Sequence, residues 1–311
     1  MGLTTAEGFG RVGRLGPLAS IGLLLVAACA PPEAAPSADP WIGPGESGFV
    51  DTPDGERIHV VTDGERRGPD QPTLLFVPGW TMTVEIWEPQ LAHFASSHRV
   101  VAMDPRFQGR SSKPRDGHTP TVRAGDIRAV VEALDLEPVV LVGWSLGVQE
   151  VVAYVDRYGT EGLAGLVLVD GVAGEDRRPE LAAMFMEWIA DFLHDREGAT
   201  SAFVRGMYRN PHPEEYFRAV TEQSLQTPTD AAAALIIAGA RSDFRSTLPE
   251  IDRPVLVVTT TGSPWDPVYE EMAEAIPGAR MERFAGAGHA LFVDEPDRFN
   301  TLLDDFLQGA K

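Results

Sequence analysis

The chain has 311 residues, 43% of them hydrophobic and 23% charged, which is material for one large α/β domain or two smaller ones. Acidic residues outnumber basic ones 46 to 26, for a formal charge of -20, and no basic tract interrupts them. That balance excludes nucleic acid as the main partner, since phosphate backbones reward clustered Lys and Arg, and it reads as an acidic solvated surface.

The first 40 residues differ from the rest. Arg11 and Arg14 precede a weakly apolar run over 15–28 that ends in small residues, the layout of a secretory signal. The run is shorter than the about 20 residues a membrane span needs. Its end, Val26-Ala27-Ala28-Cys29, resembles the lipobox of bacterial lipoprotein precursors. The resemblance implies a signal peptide over 1–28, lipidation of Cys29, and export to the cell envelope with membrane attachment through that lipid. Residues 29–46, rich in Pro and Ala, then serve as a flexible tether. Cys29 is the only cysteine, so no intrachain disulfide is expected.

From Phe49 onward strands and helices alternate without an internal repeat. ERIHVVTD (56–63) reads as an early edge strand, and TLLFVP (73–78) as a fully buried one. The segments 98–104, 138–143, 165–170 and 253–259 share an apolar, β-branched character that suits parallel strands covered on both faces. A last strand is expected over 279–284. Between strands, Val122, Ile127, Val130, Val131 and Leu134 recur at helical spacing over 121–136. The alternation predicts an α/β fold with a doubly wound, mostly parallel sheet, occupying residues 47–311. One segment breaks it. Residues 174–250 are helical in pattern without a convincing strand, and read as an inserted cap that roofs a pocket. Met184, Phe185, Met186, Trp188, Ile189 and Phe192 are expected to form the core of that cap.

The chemistry centres on VVLVGWSLGVQEVVAY (139–154). A buried strand leaves through Gly143-Trp144-Ser145-Leu146-Gly147 into a helical pattern, the context that a nucleophile elbow requires. Ser145 is the expected nucleophile, and the flanking glycines allow the tight turn. A serine hydroxyl needs a base. Of the seven histidines, His289 follows the last expected strand in a small-residue loop; His59, His93, His98, His118, His194 and His212 read as structural. The base needs a carboxylate to orient it. Asp266, in the loop after 253–259, is the expected acid, and Asp170, at the end of the preceding strand, is the competing one. Backbone N–H groups of Leu146 and Trp80 are the expected oxyanion donors.

The chain from Asp51 to Leu307 resembles the α/β-hydrolase superfamily. The resemblance rests on FVPGW, MDPRFQGRSSKP, GWSLG and GAGHALFVDEPDRFN, and on the order Ser145, Asp266, His289. GWTMTVEIWEPQ and VVAYVDRYGT are most similar to the cofactor-free haloperoxidases, perhydrolases and aryl esterases. Three positions depart from the pattern: Pro78 stands where a histidine is usual, Thr81 where perhydrolases often carry proline, and Phe107 where glycine is usual. The resemblance implies hydrolysis of carboxylic esters or lactones through an acyl-enzyme, with no metal or organic cofactor. Perhydrolysis, amide cleavage or carbon–carbon cleavage by the same residues is the alternative chemistry. A ligand-binding protein without turnover is the alternative class, against which the presence of serine, histidine and acid speaks.

Overall fold

The computed structural model describes residues 45–174 and 188–309. The expected signal peptide, Cys29 and nearly all of the tether lie outside them, as do Met184, Phe185 and Met186. Among the described residues no helix is long and apolar enough to cross a membrane.

Eight strands form one sheet: β1 (Glu46–Asp51), β2 (Arg57–Asp63), β3 (Thr73–Val77), β4 (Val100–Met103), β5 (Val139–Trp144), β6 (Leu163–Val169), β7 (Val255–Thr260) and β8 (Arg280–Phe284). Their spatial order is β1-β2-β4-β3-β5-β6-β7-β8. β2 pairs antiparallel with β1 and β4, and every other pairing is parallel. Every residue of β3, β4, β5 and β7 is buried, as their unbroken apolar runs require when helices cover both faces. The expected edge strand over 56–63 is instead second from the edge. β1, whose ESGFVD carries little apolar patterning, covers it by backbone pairing.

Helices α1 (Glu88–Phe94), α2 (Pro120–Ala133) and α3 (Leu146–Tyr158) follow β3, β4 and β5. Thr119 caps α2, its side chain accepting from the Val122 N–H, and Pro120 opens the first turn, where its missing N–H costs nothing. The cap lies between β6 and β7. It comprises a helical stretch over 188–194, then α4 (Arg196–Gly206), α5 (Glu214–Leu225) and α6 (Thr229–Arg241). A bridge between Gly174 and Asp243 and a bond from the Phe244 N–H to the Ala173 carbonyl close its base. The chain ends with α7 (Asp266–Ala275), the single turn α8 (Leu291–Asp294) and α9 (Pro296–Gly309).

Two apolar clusters flank the sheet. One packs α2 and α3 against β3 and β5 through Ile127, Val130, Val148 and Val151; the other packs Trp87, Leu91, Phe292 and Phe299 on the opposite face. Each fully buried aliphatic side chain contributes roughly 1.5–3 kcal/mol. That rigidity holds the strand ends, where the site is built.

Candidate active site

Ser145 leaves β5 at φ 56 and ψ -118, a left-handed conformation that costs a non-glycine residue about 1–3 kcal/mol. Close approach explains the glycines beside it. A Cβ on Gly143 would lie 2.5 Å from the Gly147 carbonyl oxygen, and one on Gly147 would lie 2.5 Å from that of Val77. The turn delivers Ser145 to the N-terminus of α3, whose first N–H groups have no partner within the helix.

Trp144 turns inward. It is buried, its Nε1–H donates to the His289 carbonyl at 2.9 Å, and its ring packs edge-on to Phe292. The elbow therefore holds the histidine loop directly. Leu146 instead faces the cavity.

The acid is a correction. His289 Nδ1 lies 2.6 Å from Oδ2 of Asp170, the competing acid, and bonds to it rather than to Asp266. Asp170 sits just past β6, is 4% exposed, and takes φ 41; its other oxygen accepts from the Thr260 N–H and hydroxyl at 3.0 and 3.2 Å. Asp266 is the first residue of α7 and folds back on its own loop, accepting from the Gly262 and Ser263 N–H groups at 2.9 and 3.2 Å. Those two loop amides, four and three residues before α7, hold the carboxylate and leave the histidine to Asp170.

The loop after β3 lies against the elbow: a Cβ on Gly79 would come within 2.9 Å of Ser145 Cβ. Gln108, which sequence reasoning missed, fixes this loop. Its Nε2 donates to the Gly79 carbonyl at 3.0 Å and the Met82 carbonyl at 2.6 Å, while its Oε1 accepts from Arg123 at 2.8 Å. A trans peptide is planar, so holding the Gly79 carbonyl toward Gln108 turns the Trp80 N–H the opposite way. Among the described residues neither that N–H nor the one of Leu146 meets a backbone acceptor. The Trp80 ring is buried under the cap, its Nε1–H donating to the Ala232 carbonyl at 2.7 Å, with Trp188, Phe192 and Phe203 around it. Thr81, at φ 59, shares a 2.7 Å hydroxyl bond with Ser224 of α5.

Behind Gln108, Arg123 stands 3.0 Å from Glu150, both almost fully buried. The pair lacks hydrogen-bond alignment, and neither Glu150 oxygen has a hydrogen-bond partner. Burial accordingly pushes the Glu150 carboxyl up to about 7 despite the nearby guanidinium.

Asp294 was also missed. This buried carboxylate accepts from the N–H of Gly288 and of Arg209, both at 2.7 Å, and so ties the histidine loop to the cap. The only sequence signal for it was its place in HALFVDEP.

A cavity of about 650 Å³ opens on Ser145, Asp170 and His289. Its remaining wall is mostly apolar, with Leu146, Val172, Phe203, Met207, Ile236 and Trp265. Trp188, expected only as cap core, also lines it. Ile189 and Phe192 are buried in the cap as expected. Asp104 makes no contact with the site: it accepts from the Val84 and Arg110 N–H groups and pairs with His59 at 2.7 Å. Phe107 takes φ 75 where the resemblance expects glycine, and its ring stacks on His118. Among the described residues no group of three or more His, Cys, Asp or Glu side chains could hold a metal.

A serine elbow after the fifth strand, a histidine loop after the eighth and a helical cap between the sixth and seventh define an α/β-hydrolase. The family model for the α/β hydrolase fold matches residues 72–296, and the chain belongs to that family. It stands close to the non-heme chloroperoxidases, perhydrolases and aryl esterases within it. A non-heme chloroperoxidase of Streptomyces lividans is 30% identical over 289 residues, spanning 84% of this chain and 100% of that protein. A bifunctional esterase/perhydrolase of Acinetobacter calcoaceticus is 29% identical over 84% of this chain and 100% of its own length. Among solved structures, an esterase from Exiguobacterium antarcticum superposes with a TM-score of 0.78 at 25% identity, over 85% of this chain and 100% of that one.

Proposed function

We propose that this protein hydrolyses carboxylic esters, lactones included, through an acyl-enzyme on Ser145. The observation that carries the reading is a serine held at positive φ in the wall of an apolar cavity that also contains His289, itself bonded to Asp170. His289 Nε2 takes the proton as Ser145 Oγ attacks the carbonyl carbon, and Asp170 holds the Nδ1–H and stabilises the imidazolium. The Trp80 and Leu146 N–H groups receive the oxyanion. The imidazolium then protonates the departing alcohol, and water activated by the same histidine releases the acid.

Perhydrolysis by the same residues is the second reading, supported by the bifunctional relative. Thr81 weighs against it. Its φ of 59 is closed to a proline ring, so this loop cannot adopt the sequence that perhydrolases often carry there.

The test combines a fluorophosphonate label with turnover of 4-nitrophenyl esters. Wild-type protein is expected to label once and turn over, and Ser145→Ala to lose the label and about 10⁴-fold or more of the rate. A label that persists in Ser145→Ala sinks the proposal.

A further inference from the structure

Gln149 is a polar side chain of the cavity wall that the chemistry above does not use. Gln149 lies in the first turn of α3, four residues after Ser145. It is 5% exposed, it lines the cavity, and its Oε1 is buried with no hydrogen-bond partner. Buried amide oxygens are nearly always satisfied, and one that is not has given up its water for nothing within the protein. A leucine or methionine of similar volume would match the surrounding Leu146, Ile236 and Met207 without that loss.

The cap is shaped around this amide. Gly239 sits near the end of α6, where glycine weakens a helix relative to alanine. A Cβ there would lie 3.1 Å from Gln149 Oε1 and 2.8 Å from Leu146 Cδ1. The missing side chain leaves the room that the amide oxygen and Leu146 Cδ1 occupy.

We propose that Gln149 determines specificity by accepting a hydrogen bond from an N–H or O–H donor on the substrate, close to the scissile carbonyl. The preferred substrates are then esters or lactones that carry an amide or hydroxyl substituent, rather than plain alkyl or aryl esters. This rests on the ester-hydrolase reading and narrows it. A site built to bond a substrate donor discriminates through the acceptor it leaves unpaired when the donor is missing.

The test uses matched 4-nitrophenyl esters: a plain acid, its hydroxy and N-acylamino derivatives, and the O-methylated and N-methylated versions that retain bulk but lack the donor. Wild-type enzyme is expected to prefer each donor over its methylated partner in kcat/KM. In Gln149→Leu that preference should fall about tenfold, one hydrogen bond's worth. Gln149→Met serves where the leucine variant fails to fold, as judged by circular dichroism. The hydroxy and amino arms separate the two donor sources. A preference that is absent in wild type, or unchanged in a folded variant, overturns the proposal while ester turnover stands. Absence of turnover on every ester, with no fluorophosphonate label, overturns the ester-hydrolase reading and this proposal with it.

Discussion

Among the described residues two sets of a serine, a histidine and an aspartate can be compared, and their difference shows what a site requires beyond hydrogen bonds. In the first, His289 bonds to Asp170 at 2.6 Å beside Ser145. In the second, Ser47 Oγ lies 2.9 Å from His59 Nε2, and His59 Nδ1 lies 2.7 Å from Asp104. By distances alone the second is the more complete. Yet Ser47 sits within an edge strand in regular backbone pairing, Arg110 donates to its hydroxyl at 2.8 Å, and His59 is fully buried. It fastens β1 and β2 to the loop after β4. The first set has what the second lacks: a serine on a strained turn at a helix start, a cavity, and backbone donors alongside.

That contrast is broken or sharpened first at the carboxylates. Asp170→Asn should reduce ester turnover by about 10⁴-fold, because the histidine loses the group that fixes its tautomer. Asp266→Asn should cost less than about tenfold, since its bonds serve only its own loop, and Ser47→Ala should leave turnover within about twofold. Steady-state kinetics on one aryl ester checks all three. A larger loss in Asp266→Asn than in Asp170→Asn would return the acid to β7.

Next in size is the loop that carries the proposed oxyanion donor. Gln108→Leu removes both bonds to the Gly79 and Met82 carbonyls. Loss of a whole oxyanion donor costs about 10²–10³-fold in kcat, so a donor left misaligned should cost about ten- to a hundredfold. The fall should appear in kcat with KM little changed; an effect confined to KM would assign Gln108 to substrate binding.

The smallest effect concerns stability. Glu150 titrates near 7 when folded, above the ordinary 4.5. The folded state therefore holds this proton more tightly, and the stability it contributes is full below about 4.5 and lost as pH rises through about 7. Melting temperatures measured from pH 5 to 8 should decline in wild type, and Glu150→Gln should flatten that slope. Parallel slopes in the two proteins would show that another group carries the dependence.

The sequence made the sheet legible because β3 to β7 are buried on both faces and leave unbroken apolar runs. It also marked the elbow, where the glycine spacing reflects close backbone approach. β1 escaped because ESGFVD owes its strand to pairing rather than to burial. The acid escaped for a different reason. Asp170 and Asp266 both follow strands; only the folded loops reveal that one reaches His289 while the other is held by the Gly262 and Ser263 amides of its own loop. Gln108 and Gln149 carry no local signal, because their importance lies in carbonyls and cavities assembled from distant segments.

The position of Asp170 has a consequence for how this protein can change over evolutionary time. With the carboxylate supplied after β6, the segment following β7 is relieved of duty toward the histidine, although its Ser263, Pro264 and Trp265 line the cavity. On the proposed reading, substitutions of Pro264 and Trp265 alter which substrates are accepted while Asp170 keeps its bond to His289, so this short stretch is where descendants of the gene can diverge in diet while keeping their chemistry.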